Sequence, residues 1–399
     1  MKSGLIAVAL FTVTAAALGL NAQHGTENPA PPAVRVAPAP PAVQQPRIDV
    51  VFVLDTTGSM GGLIEAAKNK IWSIAASMSQ AQPAPLIRMG LVAYRDRGDE
   101  YVTRVVDLSE DLDAMYATLM QFQASGGGDG PESVNAALHD AVHRMSWSAD
   151  QDTYKVIFLV GDAPPHMDYQ DEEQYPEILQ AAVQRGIVVN TIQCGEMAET
   201  LGPWQHIASL GGGDYFRVEQ DGNAIVMSTP FDERLAALAA ELDGTRLYYG
   251  SAEERDAGER KRSVAEGLQE RLSLVAQAAR AAFNASGSGA ANLLGDKELV
   301  EDFASGRVEL DALAPEALPA EIRDLEPEAR EKVLRSRASR RDELKRKIDR
   351  LAAQRAAYLE DQVKARGGAD DSLDVKLYGA VREQAAKKGI LYEADRPVF

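Results

Sequence analysis

Residues 51–61 read VFVLDTTGSMG, an apolar run that ends abruptly in an aspartate, two threonines, a glycine and a serine. A β-branched run of this kind is typical of a strand buried on both faces of a parallel sheet. The oxygen-bearing residues Asp55, Thr57 and Ser59 alternate after it, so a turn can bring their side chains to one point. Gly58 permits the tight backbone. The stretch therefore predicts a site for a hard cation or the N-terminal cap of the next helix.

Apolar runs and amphipathic stretches alternate on the C-terminal side of this turn. Repeated alternation of strand and helix predicts a doubly wound, mostly parallel α/β sheet with right-handed crossovers. The pattern predicts strands over residues 48–54, 87–94, 101–107, 155–160, 187–193 and 214–218. It predicts helices over residues 63–78, 111–122, 133–145, 174–185, 203–210 and 231–242.

Three loops of this predicted sheet carry oxygen ligands. Ligands of such sheets collect outside the carboxyl ends of the strands, and two buried strands end alike, FVLD at Asp55 and FLVGD at Asp162. A glycine-rich loop at residues 125–133, SGGGDGPES, adds Asp129 and runs into a helix. A cap explains the first turn alone, whereas a metal site explains all three loops. Short oxygen-bearing side chains favour Mg²⁺, with Mn²⁺ or Ca²⁺ as alternatives.

Four segments in this order resemble the von Willebrand factor type A (VWA) domain with its metal-ion-dependent adhesion site (MIDAS). They are DTTGSM after a buried strand, GLVAYRDRGD on the next strand, GGGDGPES before a helix and VIFLVGDAPPH on a later strand. The resemblance covers residues 48–242 and implies a Rossmann-like fold. The family's DxSxS motif falls on Asp55, Thr57 and Ser59, and its third-loop aspartate falls on Asp162. In the family these groups hold Mg²⁺ and leave one position for an acidic group of a protein partner.

One position departs from the family pattern. Many members carry a threonine after the paired glycines, where this sequence has Asp129. A third carboxylate raises the affinity for a divalent ion. It also neutralises part of the ion's charge, which weakens its attraction for a partner's carboxylate. The resemblance therefore implies an occupied metal site, with an acidic or a basic partner group at the metal face.

Candidate partner contacts flank the predicted site. They are Met60, Arg95, Asp96 and His166, and the alternative for Arg95 and Asp96 is that they order the loop beside the metal. The tripeptide at residues 97–99 spells RGD, but a polar turn between strands is expected there in any case.

A histidine pair lies elsewhere in the predicted domain. His139 and His143 are four residues apart on one predicted helix, a spacing that can bind zinc. Without a third ligand in the sequence, placement on the helix surface is the favoured interpretation.

The N-terminal segment predicts export. Residues 1–22 combine Lys2 with a charge-free apolar stretch, as in a signal peptide, and an uncleaved membrane anchor is the alternative. Residues 23–47 are rich in Ala, Pro and Val, which predicts a semi-rigid linker. The expected location is the periplasm or the cell exterior, with a tether to the membrane if the segment is retained. Cys194 is the only cysteine, so the chain has no internal disulfide.

Charge excludes one class of partner. The chain carries a formal net charge of −18, and residues 48–230 hold 10 Lys+Arg against 26 Asp+Glu. Such a surface repels the phosphates of nucleic acids, so no nucleic-acid partner is expected. Cations and basic protein surfaces suit it better.

Residues 244–399 predict a helical extension of the domain over residues 48–243. Helices are predicted over 263–283, 328–366 and 373–388, with a flexible break at 284–292. The longest helix has an apolar face marked by Leu344, Ile348, Leu351 and Tyr358, which arginines interrupt. Packing against the rest of the chain and a homo-oligomer or partner contact through 328–366 both remain open.

The sequence as a whole predicts a non-enzymatic, divalent-metal-dependent protein-binding module of the cell envelope or exterior. No Ser/His/Asp or Cys/His triad can be assembled from the predicted loops. Two alternatives stay open. One is a metal-dependent phosphohydrolase that uses Asp55, and the other is a structural assembly protein with a vestigial metal site.

Overall fold

The computed structural model describes residues 45–128, 130–222, 226–366, 369 and 372–398. Three predictions lie wholly or mostly outside these residues. They concern the signal peptide or anchor (1–22), the linker (23–47, of which only 45–47 are described) and the ligand Asp129.

Six strands form one sheet in the described chain: β1 (Arg47–Asp55), β2 (Leu86–Tyr94), β3 (Thr103–Ser109), β4 (Tyr154–Gly161), β5 (Ile187–Cys194) and β6 (Gly212–Val218). Their order is β3-β2-β1-β4-β5-β6. Only β3 runs antiparallel to its neighbour, and all other pairs are parallel. The strand order reverses at β1, which lies between β2 and β4. The predicted doubly wound, mostly parallel fold is confirmed.

Helices cover both faces of this sheet and continue beyond it. Those between the strands and directly after β6 are α1 (Gly61–Met78), α2 (Leu112–Leu119), α3 (Val134–His143), α4 (Tyr175–Gln184), α5 (Ala198–Leu210) and α6 (Asp232–Asp243). The later helices are α7 (Ala252–Arg271), α8 (Leu274–Ala285), α9 (Ala290–Leu294), α10 (Leu299–Ala304), α11 (Ala320–Arg323), α12 (Pro327–Ala365) and α13 (Leu373–Ala386).

Strand β1 is buried on both faces, as its β-branched composition predicts. Val50 and Leu54 lie in a core that α1, α8 and α13 complete. Val51 and Val53 point the opposite way, into a core shared with α3 and α4. Each such side chain stabilises the fold by roughly 1.5–3 kcal/mol. Two-sided burial fixes the register of β1 and thereby the place where its carboxyl end emerges.

Three local predictions are wrong. The helix expected at 263–283 is two helices, because Ser273 begins a new one by accepting a hydrogen bond from Ala276 N. The break predicted at 284–292 is shorter, because α8 ends at Ala285 and α9 begins at Ala290, and the buried Asn292 donates to Asn284 Oδ1 over 2.7 Å. Helix α5 begins at Ala198 rather than at residue 203, with a proline inside it. One proline costs a helix a backbone hydrogen bond, which surrounding packing can offset.

The C-terminal region packs on the rest of the chain. Helix α12 matches its predicted bounds, and its Leu344 and Ile348 lie in a core with residues of α6 and α8. Leu377 and Val381 of α13 lie in the core that contains α1. The intrachain interpretation of the long helix is therefore confirmed, and a homo-oligomer through residues 328–366 stays a prediction that would need another face of α12.

Within the described residues, no helix combines the length and the apolarity that a membrane span requires.

Candidate metal centre

Two aspartates emerge side by side at the carboxyl edge of the sheet. Asp55 is the last residue of β1, and Asp162 directly follows β4. The two strands are parallel neighbours, with Leu54 opposite Val160. The sequence prediction that both carboxylates open onto one place is therefore met by the geometry.

The turn after β1 folds back onto its own aspartate. Asp55 Oδ1 accepts hydrogen bonds from Thr57 N over 2.8 Å and from Thr57 Oγ1 over 2.7 Å. The hydroxyls of Thr57 and Ser59 lie 3.5 Å apart. Neither the short 3₁₀ turn Gly58–Met60 nor α1 receives a side-chain cap at its N-terminus. Helix capping therefore does not account for these three oxygen-bearing side chains.

The second oxygen of Asp55 has no partner among the described residues. Oδ2 is fully buried and makes no hydrogen bond, and the same holds for the Tyr94 hydroxyl. A Cβ built on Gly161 would lie 3.0 Å from Asp55 Oδ2 and closer still to the Tyr94 hydroxyl, so only glycine leaves this space open. Burial raises the pKa of Asp55 to about 7, and the charge of Asp162 adds to the rise against the hydrogen bonds from Thr57. A buried carboxylate without a compensating charge is costly.

Glu132 is a member of the site that the sequence analysis missed. Its Oε2 is buried without a hydrogen-bond partner in the described chain. Burial, with the charges of Asp55 and Asp96 next in size, raises the pKa of Glu132 to about 9. Gly127 has φ +77° and lies between the two elements, since a Cβ there would sit 3.0 Å from Glu132 Oε1 and 3.1 Å from Thr57 Cβ. The sequence does contain a signal for Glu132, since it is a carboxylate in the glycine loop directly before a predicted helix.

The predicted partner contacts are buried. Met60, Arg95, Asp96 and His166 are all at most 6% exposed. Arg95 donates to the backbone oxygens of Thr56 and Gln123. These bonds join the turn after β1 to the segment directly before the glycine loop. Arg95 thus orders the loops, and contact with a partner stays a prediction for all four residues.

Asp96 and His166 make a similar supporting contact. Asp96 Oδ1 accepts from Ser133 Oγ over 2.8 Å, and Asp96 Oδ2 lies 3.4 Å from His166 Nε2. The backbone N–H of His166 donates to the carbonyl of Glu132. This chain of contacts ties the loop after β4 to the start of α3.

Gln220 contacts two residues of the centre. Its Nε2 donates to Asp162 Oδ2 over 2.7 Å and to the carbonyl of Ser59 over 3.3 Å. Gln220 is itself exposed and belongs to the segment after β6. It supplies a hydrogen-bond donor to a carboxylate but no positive charge.

The donor set fits a hard divalent cation. Asp55, Thr57, Ser59 and Asp162 supply short oxygen groups from two adjacent loops, and the charges of Asp55 and Asp162 also act on the carboxylate of Glu132. Burial and neighbouring carboxylates raise the pKa of Asp55 and Glu132, and no cationic side chain is among the causes. Oxygen-only donors with unbalanced negative charge suit Mg²⁺, Mn²⁺ or Ca²⁺. The prediction that Asp129 is a ligand falls outside the described residues.

A family comparison matches the strand ends just described. Residues 49–219 match the family model of the von Willebrand factor A domain. The match supports a VWA domain in this chain. It includes the three loops that carry Asp55, Glu132 and Asp162.

Curated relatives match only part of the chain. The chain is 35% identical over 120 residues to von Willebrand factor A domain-containing protein 7 of Rattus norvegicus, which is 30% of this chain and 12% of the relative. It is 28% identical over 121 residues to the alpha-protein kinase vwkA of Dictyostelium discoideum, which is 30% of this chain and 19% of that protein. The chain thus spans less than a quarter of the length of these relatives, so the similarity does not extend to their whole-protein activities.

Two solved structures align with part of the chain at low similarity. Proximal thread matrix protein 1 from the mussel byssus has 16% identity and a TM-score of 0.35, over 44% of this chain and 43% of that one. One form of that protein is described with a zinc-occupied MIDAS motif. The SpRpn10 VWA domain has 14% identity and a TM-score of 0.34, over 44% of this chain and 88% of that one. Scores this low support no functional inference.

Proposed function

We propose that the VWA domain is a divalent-metal-dependent protein-binding module and that the protein acts in adhesion or scaffolding rather than in catalysis. One observation carries the proposal. Asp55 is fully buried at the carboxyl end of β1, beside Asp162, with one oxygen that no described residue satisfies. Because an unpaired buried charge is expensive, a cation from solution would stabilise this arrangement.

The residues proposed to hold the ion are Asp55, Thr57, Ser59, Asp129 and Asp162. Mg²⁺ is the expected ion, with Mn²⁺ and Ca²⁺ as alternatives. When bound, the ion would supply positive charge at a centre whose buried carboxylates have no cationic partner among the described residues, and a partner's acidic group could bind there. The carboxylate of Glu132 would further reduce the net positive charge at the bound ion. Because the ion alone would then attract an acidic group less strongly, partners that also contact the protein around the ion are favoured. Gln220 would have to move before a partner could approach Asp162.

Export to the periplasm or the cell exterior is part of the proposal. It is supported by the signal-like residues 1–22 and the linker-like residues 23–47. Fractionation of cells that express the full chain tests it. Recovery in the periplasmic, membrane or medium fraction is expected, and recovery in the cytoplasm alone would contradict it.

Affinity capture tests the binding function. The full chain is immobilised and incubated with an envelope extract, with Mg²⁺ or with EDTA, as wild type, Asp55→Ala and Asp311→Ala. Asp311 is an exposed aspartate far along the chain and serves as the matched control. Proteins recovered by wild type and Asp311→Ala in Mg²⁺, and lost in EDTA and in Asp55→Ala, would support the proposal. Equal recovery by all three proteins in both buffers would overturn it.

The two alternatives predict different outcomes. Turnover of a generic phosphate ester that disappears in Asp55→Asn would overturn the non-enzymatic assignment. If Asp55→Ala and Asp162→Ala left both the metal content and the recovered partners unchanged, the site would be vestigial and the protein structural.

A further inference from the structure

Two histidines and a glutamate converge on the outer side of α3. His139 and His143 lie one turn apart on this helix, and their ring centroids are 4.8 Å apart. Glu173 belongs to the loop directly before α4. Its Oε2 lies 3.8 Å from His139 Nε2 and 3.9 Å from His143 Nε2. The structure thus supplies the third ligand that the sequence did not reveal.

The distances between these atoms suit coordination of one shared transition-metal ion better than hydrogen bonds between the three side chains. One ligand atom from each of the three residues lies within 4.8 Å of the others. Separations of 3.8 and 3.9 Å are too long for hydrogen bonds. Bonds of about 2.0–2.1 Å to a tetrahedral ion would place ligand atoms somewhat more than 3 Å apart. A small rotation of each side chain would therefore bring all three onto one ion.

A carboxylate lies behind one of the two imidazole rings. Asp140 Oδ1 lies 3.7 Å from His139 Nδ1, the ring nitrogen that faces away from Glu173. Asp140 is held in place by Thr103 and Arg144, at 2.7 and 2.9 Å. A carboxylate behind a ligating imidazole is the usual outer partner in zinc sites, where it orients the ring.

We infer that His139, His143 and Glu173 form a second metal site, selective for Zn²⁺ or a similar borderline ion. Imidazole nitrogens favour such ions over Mg²⁺, which the oxygen-only centre at the strand ends suits. The three side chains remain 45%, 35% and 40% exposed, so a fourth position faces solvent. Water or a side chain from another molecule can complete the coordination there.

An ion at this site would brace the loop between β4 and α4. That loop is already joined to α3 by Asn135, which donates to Gln174 Oε1 over 3.2 Å and accepts from Tyr175 N over 3.0 Å. The same loop carries His166, which contacts Asp96 beside the strand-end centre. Zinc binding would therefore stiffen the loop that flanks the proposed partner face. The site itself does not depend on the proposed function.

Zinc titration of the full chain tests the inference. All proteins carry Asp55→Ala, so that the strand-end centre does not contribute, and Zn²⁺ is titrated against a chromophoric chelator. The unmodified cluster should bind one Zn²⁺ per chain. His143→Gln and Glu173→Gln should each weaken binding at least tenfold, by comparison with the 10- to 100-fold losses seen for outer-shell groups alone. The matched control His206→Gln, at an exposed histidine outside the cluster, should bind as tightly as the parent.

Other results of the same titration would contradict the zinc site. Absence of saturable Zn²⁺ binding, or unchanged affinity in the double variant His139→Gln/His143→Gln, would overturn the inference. The cluster variants change half-exposed side chains, and circular dichroism compares the fold of each protein, including the shared Asp55→Ala parent, with that of wild type. Electron paramagnetic resonance with Cu²⁺ gives a second readout. Two coordinated nitrogens are expected in the parent and one in His143→Gln, and an identical spectrum for both would exclude ligation by His143.

Discussion

Two regions of the molecule bury carboxylates, and they differ in whether a cationic side chain neutralises them. Around α6, α8 and α12 each buried carboxylate has an arginine from the same chain, whereas at the strand ends the buried carboxylates have none among the described residues. The arginine pairs are Arg280 with Asp113 and Asp243 at 2.6 and 2.7 Å, Arg341 with Glu298 at 2.8 Å and Arg355 with Asp232 at 2.8 Å.

The pKa values show the consequence of this difference. Burial would raise the pKa of Asp243, but the charges of Arg280 and Arg246 outweigh it and lower that pKa below its ordinary value. For Asp55 burial prevails and raises the pKa to about 7. This chain thus supplies cations to its buried carboxylates where they serve structure. We propose that the buried carboxylates at the strand ends are balanced by a cation from solution.

The largest expected effect is at the arginine-paired region. Arg280→Met leaves Asp113 and Asp243 buried without their shared cation, which should lower the free energy of unfolding by about 3–5 kcal/mol. Urea unfolding in Mg²⁺ and in EDTA should show the same loss, because no metal serves these carboxylates. A control, Arg335→Met, removes an exposed pair on α12 and should cost less than about 1 kcal/mol. A loss in Arg280→Met no larger than in this control would contradict the comparison.

The pH dependence of the metal-free protein should reveal the other region. The pKa of Asp55 rises from 3.8 to about 7 on folding, so the folded state holds a proton that the unfolded state releases. Stability in EDTA should therefore fall as pH rises from about 4 to about 7, by up to about 4 kcal/mol from this group. Glu132, with its pKa of about 9, extends the fall to higher pH. Urea unfolding across this range measures it.

Two outcomes sharpen that measurement. Excess Mg²⁺ should restore stability at the alkaline end, because the ion replaces the lost protons as a source of positive charge. Asp55→Asn should flatten the acidic part of the profile in EDTA, since the amide does not ionise. Stability in EDTA that stays level or rises between these pH values would show that the carboxylates are satisfied within the chain.

A smaller effect is expected at Gln220. Removing its amide in Gln220→Ala frees Asp162 Oδ2 from a competing donor, so the affinity for Mg²⁺ should rise by up to about tenfold. Isothermal titration calorimetry gives the comparison with wild type and with Gln121→Ala, an exposed glutamine that does not contact the centre. Weaker binding in Gln220→Ala would mean that Gln220 is a ligand instead.

The smallest effect is expected at the RGD tripeptide. Arg97 pairs with Asp171 and Glu172 on the surface and stacks over the Tyr169 ring at 4.0 Å. Arg97→Ala should lower the free energy of unfolding less than any other variant in this series and leave Mg²⁺ affinity unchanged, because solvent screens an exposed ion pair. Partner recovery that disappears in this variant alone would identify the tripeptide as a binding element.

The sheet and half of the centre could be predicted from the sequence for a definite reason. Strands buried on both faces have a distinctive composition, and parallel topology brings their carboxyl ends to one edge, so Asp55 and Asp162 follow from pattern alone. Glu132 was missed although it stands in the glycine loop directly before a helix. Gln220 has no such signal, because its side chain reaches the centre only through a loop conformation that distant residues set. Gln220 lies just after the carboxyl end of β6, and no local sequence pattern marks it as part of the centre.

The sequence predicts the bounds of the C-terminal helices better than their positions in the fold. The residues of α12 have a clear helical period, so its bounds are predictable within a residue. The place of α13 beside α1 is not, because the buried pair of Lys70 with Asp374 joins segments about three hundred residues apart. Glu173 was missed for the same reason, since only the fold brings it to His139 and His143.

Mg²⁺ titration of wild type and Asp55→Ala, followed by calorimetry and by thermal unfolding, tests the central claim most directly. Wild type should bind one Mg²⁺ per chain, with a melting temperature that rises with Mg²⁺ concentration as the folded state is stabilised by mass action. Asp55→Ala should show neither binding nor a shift. Absence of binding in wild type, or equal binding in both proteins, would contradict a metal centre at the strand ends.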